Sequence, residues 1–153
     1  VSWQIDPAAV LAQRCVTMVE DLPKNLALTA EVCWCVRERG DWLAAVITSG
    51  FVRIFLVPGG GRLWGDIPLG QQRYLALGNI DWRFIAARDA LLGDYQYVEL
   101  VPVIGEVAGM AAARHLARDA RLALGFETPA AGPVESAKPV SRRGFLRALS
   151  GRR

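Results

Sequence analysis

The sequence predicts an α+β domain: an antiparallel sheet of five or six strands, flanked by an N-terminal and a C-terminal helix in two layers. Three observations lead there. Apolar residues recur with helical spacing near the start of the chain and again over residues 106–124. Between those stretches the period falls to two. Most of the links between the period-two runs are short, which favours antiparallel pairing over parallel crossovers of a dozen or more residues. With both helices on one face, the architecture would have two layers.

The elements follow in order. Asp6-Pro7 marks a helix start: an aspartate satisfies the exposed N–H groups of a first turn, and proline suits the first helical position. Leu11, Cys15, Met18, Val19 and Leu22 then make one apolar face, ending at Pro23. From Thr29, alternation of Ala30, Val32, Trp34 and Val36 with Glu31, Cys33, Cys35 and Arg37 reads as a strand. Arg39-Gly40-Asp41 is a turn. Trp42–Thr48 and Phe51–Val57 are strands joined by Ser49-Gly50. They are apolar at nearly every position, so they belong in the middle of the sheet, covered on at least one face. Residues 58–72, opening with Pro58-Gly59-Gly60-Gly61, read as a loop. Arg73–Leu77, Trp82–Ala87 and Tyr95–Val103 are further strands, with a turn at Gly93-Asp94. Over Glu106–Leu124 a helix carries the stripe Val107, Met110, Ala113, Ala117, Ala120 and Leu124, and Gly125 suits the left-handed position after it. Residues 1–126 thus read as the folded domain, 127–140, rich in Pro, Ala and Gly, as a flexible linker, and 141–153 as a basic tail.

Composition narrows the function. The 153 residues are 52% hydrophobic and 22% charged. A chain near that length buries roughly 68–70% of its unfolded surface and needs no disulfide or metal staple. No run approaches the roughly 20 apolar residues of a membrane span, and the first residues lack the pattern of a secretory signal, so no membrane insertion is expected. The formal net charge of +3 conceals an asymmetry: Lys138, Arg142, Arg143, Arg147, Arg152 and Arg153 stand against Glu135 alone, leaving the body at −2. A nucleic-acid binder carries its basic stripe on the folded surface, so nucleic acid is not an expected partner. Three cysteines fit a reducing cytoplasm better than a disulfide framework.

Catalytic signals are absent from the sequence pattern. Cys33 and Cys35, at i and i+2 on a strand, would share a face. They support an alternative reading as a thiol redox pair or half a metal site, but a zinc site needs about four ligands. His115, between arginines on a helix, has no nucleophile beside it. Gly59-Gly60-Gly61 lacks the spacing of a phosphate-binding loop. Asp89, Asp94 and Glu99 do not form an acid/base pair. Trp64 in the loop and Trp82 at a strand start read as core packing, since Trp is highly buried on average, or as contact aromatics of a peptide-binding surface, where Trp supplies area at low entropic cost.

Ser141-Arg142-Arg143-Gly144-Phe145-Leu146-Arg147 resembles the twin-arginine export pattern Ser/Thr-Arg-Arg-x-Phe-Leu-Lys. It stands far from the N-terminus and no apolar stretch follows, so it is not expected to export the protein. It reads as a solubilising tail, as a mimic occupying a site that also takes real twin-arginine signals, or as an adaptor ligand for another twin-arginine chaperone.

The order of motifs resembles the HybE/HupJ type of [NiFe]-hydrogenase assembly chaperones over residues 10–126 and the tail. Met18 and Leu22-Pro23 with Asn25 resemble the family's Met…Leu-Pro-x-Asn opening. Trp42–Thr48 followed by Phe51 resembles its Trp…Thr-Pro-Trp-Phe hairpin. Leu56-Val57-Pro58-Gly59 with Trp64, Gly93-Asp94-Tyr95, and Leu100 with Pro102-Val103 resemble its later segments. Departures fall at Ser49, Gly50, Val98, Glu99 and Val101, positions expected to help form the partner surface. The resemblance implies a cytoplasmic, non-enzymatic chaperone with no bound cofactor or metal and no catalytic residue. Its implied partner is a hydrogenase small-subunit precursor, met before twin-arginine export, with the large subunit as a second candidate. The residues assigned to partner binding are Ser49, Gly50, Phe51, Trp64, Asp94, Tyr95 and Glu99, with Arg142, Arg143, Phe145, Leu146 and Arg147 in the tail. Arginine pairs in the client would meet Asp89, Asp94 or Glu99 through charge-assisted hydrogen bonds.

Overall fold

Leu43 to Ile47 and Ile54 to Val57 are buried residue by residue, on both sides of the sheet. That continuous apolarity requires cover on both faces, and the computed structural model, which describes residues 2–125, supplies it. Six strands run β1 (Glu31–Glu38), β2 (Asp41–Ile47), β3 (Val52–Val57), β4 (Gln72–Leu77), β5 (Ile80–Asp89) and β6 (Gly93–Glu99). They pair antiparallel in the spatial order β1-β2-β3-β6-β5-β4. Helix α1 (Ala8–Arg14) lies on one face with Trp42, Ala44, Val46, Phe51, Phe55 and Tyr95. Helix α2 (Met110–Ala123) lies on the other with Leu43, Ala45, Ile47, Ile54, Trp82 and Phe84.

The α+β class, the six strands and the two flanking helices agree with the expectation. The layering does not: the helices take opposite faces, giving helix, sheet, helix rather than two layers. The cause is legible in β2, where Trp42, Ala44 and Val46 join one core and Leu43, Ala45 and Ile47 the other. Neither set tolerates water, so each face needs its own helix.

Element ends shift for local reasons. The first helix stops at Arg14, and residues 15–22 continue as tight turns with Glu20 N–H donating to Thr17 O at 3.3 Å and Leu22 N–H to Val19 O at 3.0 Å. β-branched Val16, Thr17 and Val19 favour the extended helix little. The turns still carry Val19, Met18 and Leu22 onto the α1-side core. The second helix starts at Met110, after a short 3₁₀ turn (Ile104–Glu106) and Gly109, and its Ala113, Ala117, Ala120 and Ala123 are buried. Gly125, at φ +87°, takes the left-handed position expected of it.

Strand β1 carries a bulge: Val32 pairs with Val46 and Trp34 with Ala45, so Cys33 is the extra residue. A bulge shifts side-chain parity by one. Cys33 and Trp34 therefore pack toward α2, and Val32 and Cys35 toward α1. The expected shared face of Cys33 and Cys35 does not exist.

Candidate functional site

The register divides the molecule into two ends. At the first lie the β1–β2 turn, the start of the 58–71 loop and the β5–β6 turn. Here the loop is locked by Asp41, a fully buried carboxylate. Its Oδ1 accepts the backbone N–H groups of Gly59 (2.7 Å) and Gly61 (2.9 Å), and its Oδ2 those of Leu63 (2.8 Å) and Trp64 (2.9 Å). Burial is the largest single influence on this acid and works against its charge, yet the four N–H groups together hold its carboxyl below the ordinary range. On the α2 side, buried Gln96 donates to Gly65 O (2.8 Å) and accepts from Arg73 (3.1 Å), which also donates to Leu63 O (3.0 Å). This end is fixed.

At the other end lie the β2–β3 hairpin, the β4–β5 turn, and the segments before β1 and after β6. Asn25 ties three of these together. Its backbone N–H donates to Ser49 O (2.7 Å), and its side-chain amide donates to Ile104 O and Val107 O (both 2.9 Å). The next residue, Leu26, is 89% exposed and Val103 51% exposed, and Pro102 before it is exposed as well. Val19 and Leu22 come down on Gly50, where an added Cβ would lie 2.8 Å from Val19 Cγ1. We call this end the rim. Its exposed carboxylates Glu20, Asp21 and Glu106 form no ion pair with another described residue. Lys24 turns its ammonium onto the carbonyls of Glu20 (3.2 Å) and Leu22 (3.1 Å).

Just inside the rim on the α1 face, Arg53 lies 4.1 Å from the ring centroids of both Phe51 and Tyr97, and bonds Glu99 twice, at 3.0 and 3.2 Å. The same face continues over β5 and β4 through half-buried Ile85 and exposed Arg83 and Tyr74, beyond the reach of α1.

The residues singled out from the sequence do not form one patch. Ser49, Gly50, Phe51 and Glu99 gather at the rim, although Phe51 is buried and Glu99 is engaged by Arg53. Asp94 lies at the far end beside Arg88 (2.6 Å). Tyr95 is buried against Phe55, its ring centroid 4.9 Å away, and burial pushes its hydroxyl up to about 12. Trp64 packs on the α2-side core with its Nε1 donating to Asp66 (2.8 Å), and Trp82 is wholly inside. Asp89 pairs with Arg14 at 3.0 Å. Asp89, Asp94 and Glu99 each pair with an arginine of this chain, so a client's arginines would have to compete with Arg14, Arg88 and Arg53 for them. Arg142, Arg143, Phe145, Leu146 and Arg147 lie outside the described residues, as does the linker.

The cysteines offer no attacking thiolate. Burial, helped by Glu31, pushes the Cys33 thiol to about 12; burial, helped by Asp6, pushes Cys35 to about 12; Cys15 is raised by burial as well. Among the described residues no group of three His, Cys, Asp or Glu could hold a metal ion. No described helix is long and apolar enough to cross a membrane. His115 is exposed beside Arg118.

The sequence did not announce the exposure of Leu26 or the stack of Arg53 on Tyr97. Leu26 follows Pro23 in a stretch with no period. The Arg53–Tyr97 stack depends on the pairing of β3 with β6, which strand order alone does not fix.

Comparison with known proteins completes the picture. A family model described as "[NiFe]-hydrogenase assembly, chaperone, HybE" matches residues 11–148. The fold is similar to the solution structure of HybE from Escherichia coli, with a TM-score of 0.63 and 14% identity, over 92% of this chain and 95% of that one. At that identity the likeness is one of fold. No curated protein sequence matches the chain.

Proposed function

The chain belongs to the HybE family of [NiFe]-hydrogenase assembly chaperones, which are not enzymes, and from that membership we propose that it holds a hydrogenase precursor subunit at the rim. The client is the small-subunit precursor, with the large subunit as a second candidate, met in the cytoplasm before twin-arginine export. The observation that carries the placement is Leu26, the most exposed large apolar side chain among the described residues, at the same end of the sheet as exposed Val103 and three carboxylates that pair with no other described residue. A twin-arginine signal offers matching chemistry: adjacent guanidinium groups for Glu20, Asp21 and Glu106, and apolar residues for Leu26, Pro102 and Val103. Ser49 and Gly50 form the floor, and the Phe51–Arg53–Tyr97 stack extends it onto the open sheet face.

The test is calorimetric titration of a small-subunit precursor, with and without its signal peptide, into the wild-type chain and into Leu26→Ser. Binding that needs the signal and weakens about tenfold in Leu26→Ser, at unchanged melting temperature, is expected. A full burial of one leucine side chain is worth ~1.5–3 kcal/mol, which is enough for that factor. Equal binding by Leu26→Ser moves the site off the rim. Absence of binding by either form removes the small-subunit precursor as client.

A further inference from the structure

We infer that the basic segment 141–147 of this chain occupies the rim when no client is bound, so that the protein masks its own site. The inference deepens the client-binding reading above and rests on it.

Three observations converge. The first is where the chain leaves the described domain. Gly125 lies against the β4–β5 turn, where a Cβ added to it would stand 3.4 Å from Gly78 Cα. Ile85 pairs with Tyr97, so β5 begins beyond the level at which β6 ends, and that turn belongs to the rim end of the sheet. The chain therefore continues from the same end that displays Leu26 and Val103. Each residue spans at most ~3.3–3.6 Å, so the stretch from Gly125 to Arg142 reaches across the width of a six-stranded sheet, five spacings of ~4.8 Å, with length to spare.

The second is charge. Three exposed rim carboxylates, Glu20, Asp21 and Glu106, form no ion pair with another described residue, and the ammonium of Lys24 is taken by carbonyl oxygens. The uncompensated positive charge of the whole sequence stands in residues 135–153. A second copy of the domain would instead bring carboxylates onto carboxylates at this surface, which disfavours rim-to-rim pairing.

The third is the order of side chains. Arg142 and Arg143 precede Phe145 and Leu146, and Arg147 follows. Guanidinium groups flanking two apolar residues match the chemistry that the rim exposes: Leu26 and Val103, with the carboxylates Glu20, Asp21 and Glu106 at the same end. A tethered segment acts at about millimolar effective concentration. With an intrinsic dissociation constant of ~100 μM it would raise a client's apparent Kd about tenfold. Weak or unrelated apolar segments would be excluded, while a client with more contacts displaces it. Because the contacts are charge-assisted and exposed, masking should relax at high salt.

The experiment compares the full wild-type chain with the full chain carrying Arg142→Ala, Arg143→Ala and Phe145→Ala. Amide resonances of Leu26 and Val103 are recorded without client, and a precursor signal peptide is then titrated into both forms. Shifted Leu26 and Val103 signals in the variant, with a Kd about tenfold tighter than wild type, are the expected result, and the gap should close in 1 M salt. Unchanged signals with equal client affinity overturn the masking and leave client binding at the rim intact. Shifted signals with no client binding in either form keep the segment at the rim and overturn the client instead. Signals that move with protein concentration, equally in both forms, assign the rim to a second copy and overturn the inference.

Discussion

Replacing Asp41 by Asn tests whether one buried carboxylate holds the closed end of the molecule. Each carboxylate oxygen accepts two backbone N–H groups, all within 2.7–2.9 Å. An asparagine keeps one acceptor oxygen and points an NH₂ group at the other two donors. Two buried N–H groups then lose their partner, at ~1–3 kcal/mol each. Rearrangement of the 59–64 loop recovers part of this, so about 3 kcal/mol is expected. For a domain of this size that lowers Tm by about 10 °C. Urea titration should show the lost stability at an unchanged slope. The pH dependence supplies a second check. The carboxyl of Asp41 titrates below its ordinary value in the folded state. Its contribution is therefore complete above the unfolded value, near pH 4, and disappears as pH falls through the lower folded value. The gap between wild type and Asp41→Asn should be constant from about pH 5 to 8 and narrow below pH 4. A loss under 1 kcal/mol, or a gap that does not depend on pH in the acid range, would refute the account.

Three further outcomes are expected. Gly50→Trp, which restores the bulk that the resembled family pattern has before Phe51, should cost about 2–3 kcal/mol, because a Cβ there already meets Val19 at 2.8 Å; urea denaturation measures it, and wild-type stability would show that the 17–22 turn lifts freely. Arg53→Lys should cost about 1 kcal/mol, since an ammonium keeps the charge but neither the paired bonds to Glu99 nor the stack between Phe51 and Tyr97; loss beyond 3 kcal/mol would mean that Glu99 cannot turn to water. Mild oxidation of the folded chain should leave Cys33 and Cys35 unlinked, as they lie on opposite faces with thiols raised to about 12; a mass decrease of two hydrogens mapped to that pair would contradict the bulge.

The fold was legible where one face of an element meets one environment. The alanine stripe of α2, the doubly apolar β2 and β3, and the left-handed Gly125 follow from periodicity and backbone sterics. What stayed hidden depends on contacts distant in sequence. The choice of opposite faces for the helices is set by β2 having two apolar sides, which the sequence displays but does not assign. The bulge at Cys33 is invisible in the alternation it interrupts, and with it the separation of the two thiols. The pairing of the acidic candidates was hidden for a related reason: Asp89, Asp94 and Glu99 stand out locally, while Arg14, Arg88 and Arg53 reach them only through the fold. Leu26 carried no local signal, and nothing about a leucine after Pro-Lys-Asn announces that it will stand in water.

Yet the backbone that carries it is fixed. Asn25 uses its backbone N–H, its side-chain amide and its side-chain oxygen: the last accepts from Ala27 N–H at 3.0 Å, and the others hold Ser49, Ile104 and Val107. Leu28, three residues on, is buried in the α2-side core. Asn25 and Leu28 thus fix the backbone on both sides of exposed Leu26. A backbone held by a satisfied polar anchor is ordered before a partner arrives, so little backbone entropy is lost when one covers the side chain it carries. Strain relief cannot account for the arrangement, because a polar residue at position 26 would leave every one of these bonds in place. That pre-ordered backbone is what supports the proposal that the client and the chain's own basic segment meet Leu26 at the rim.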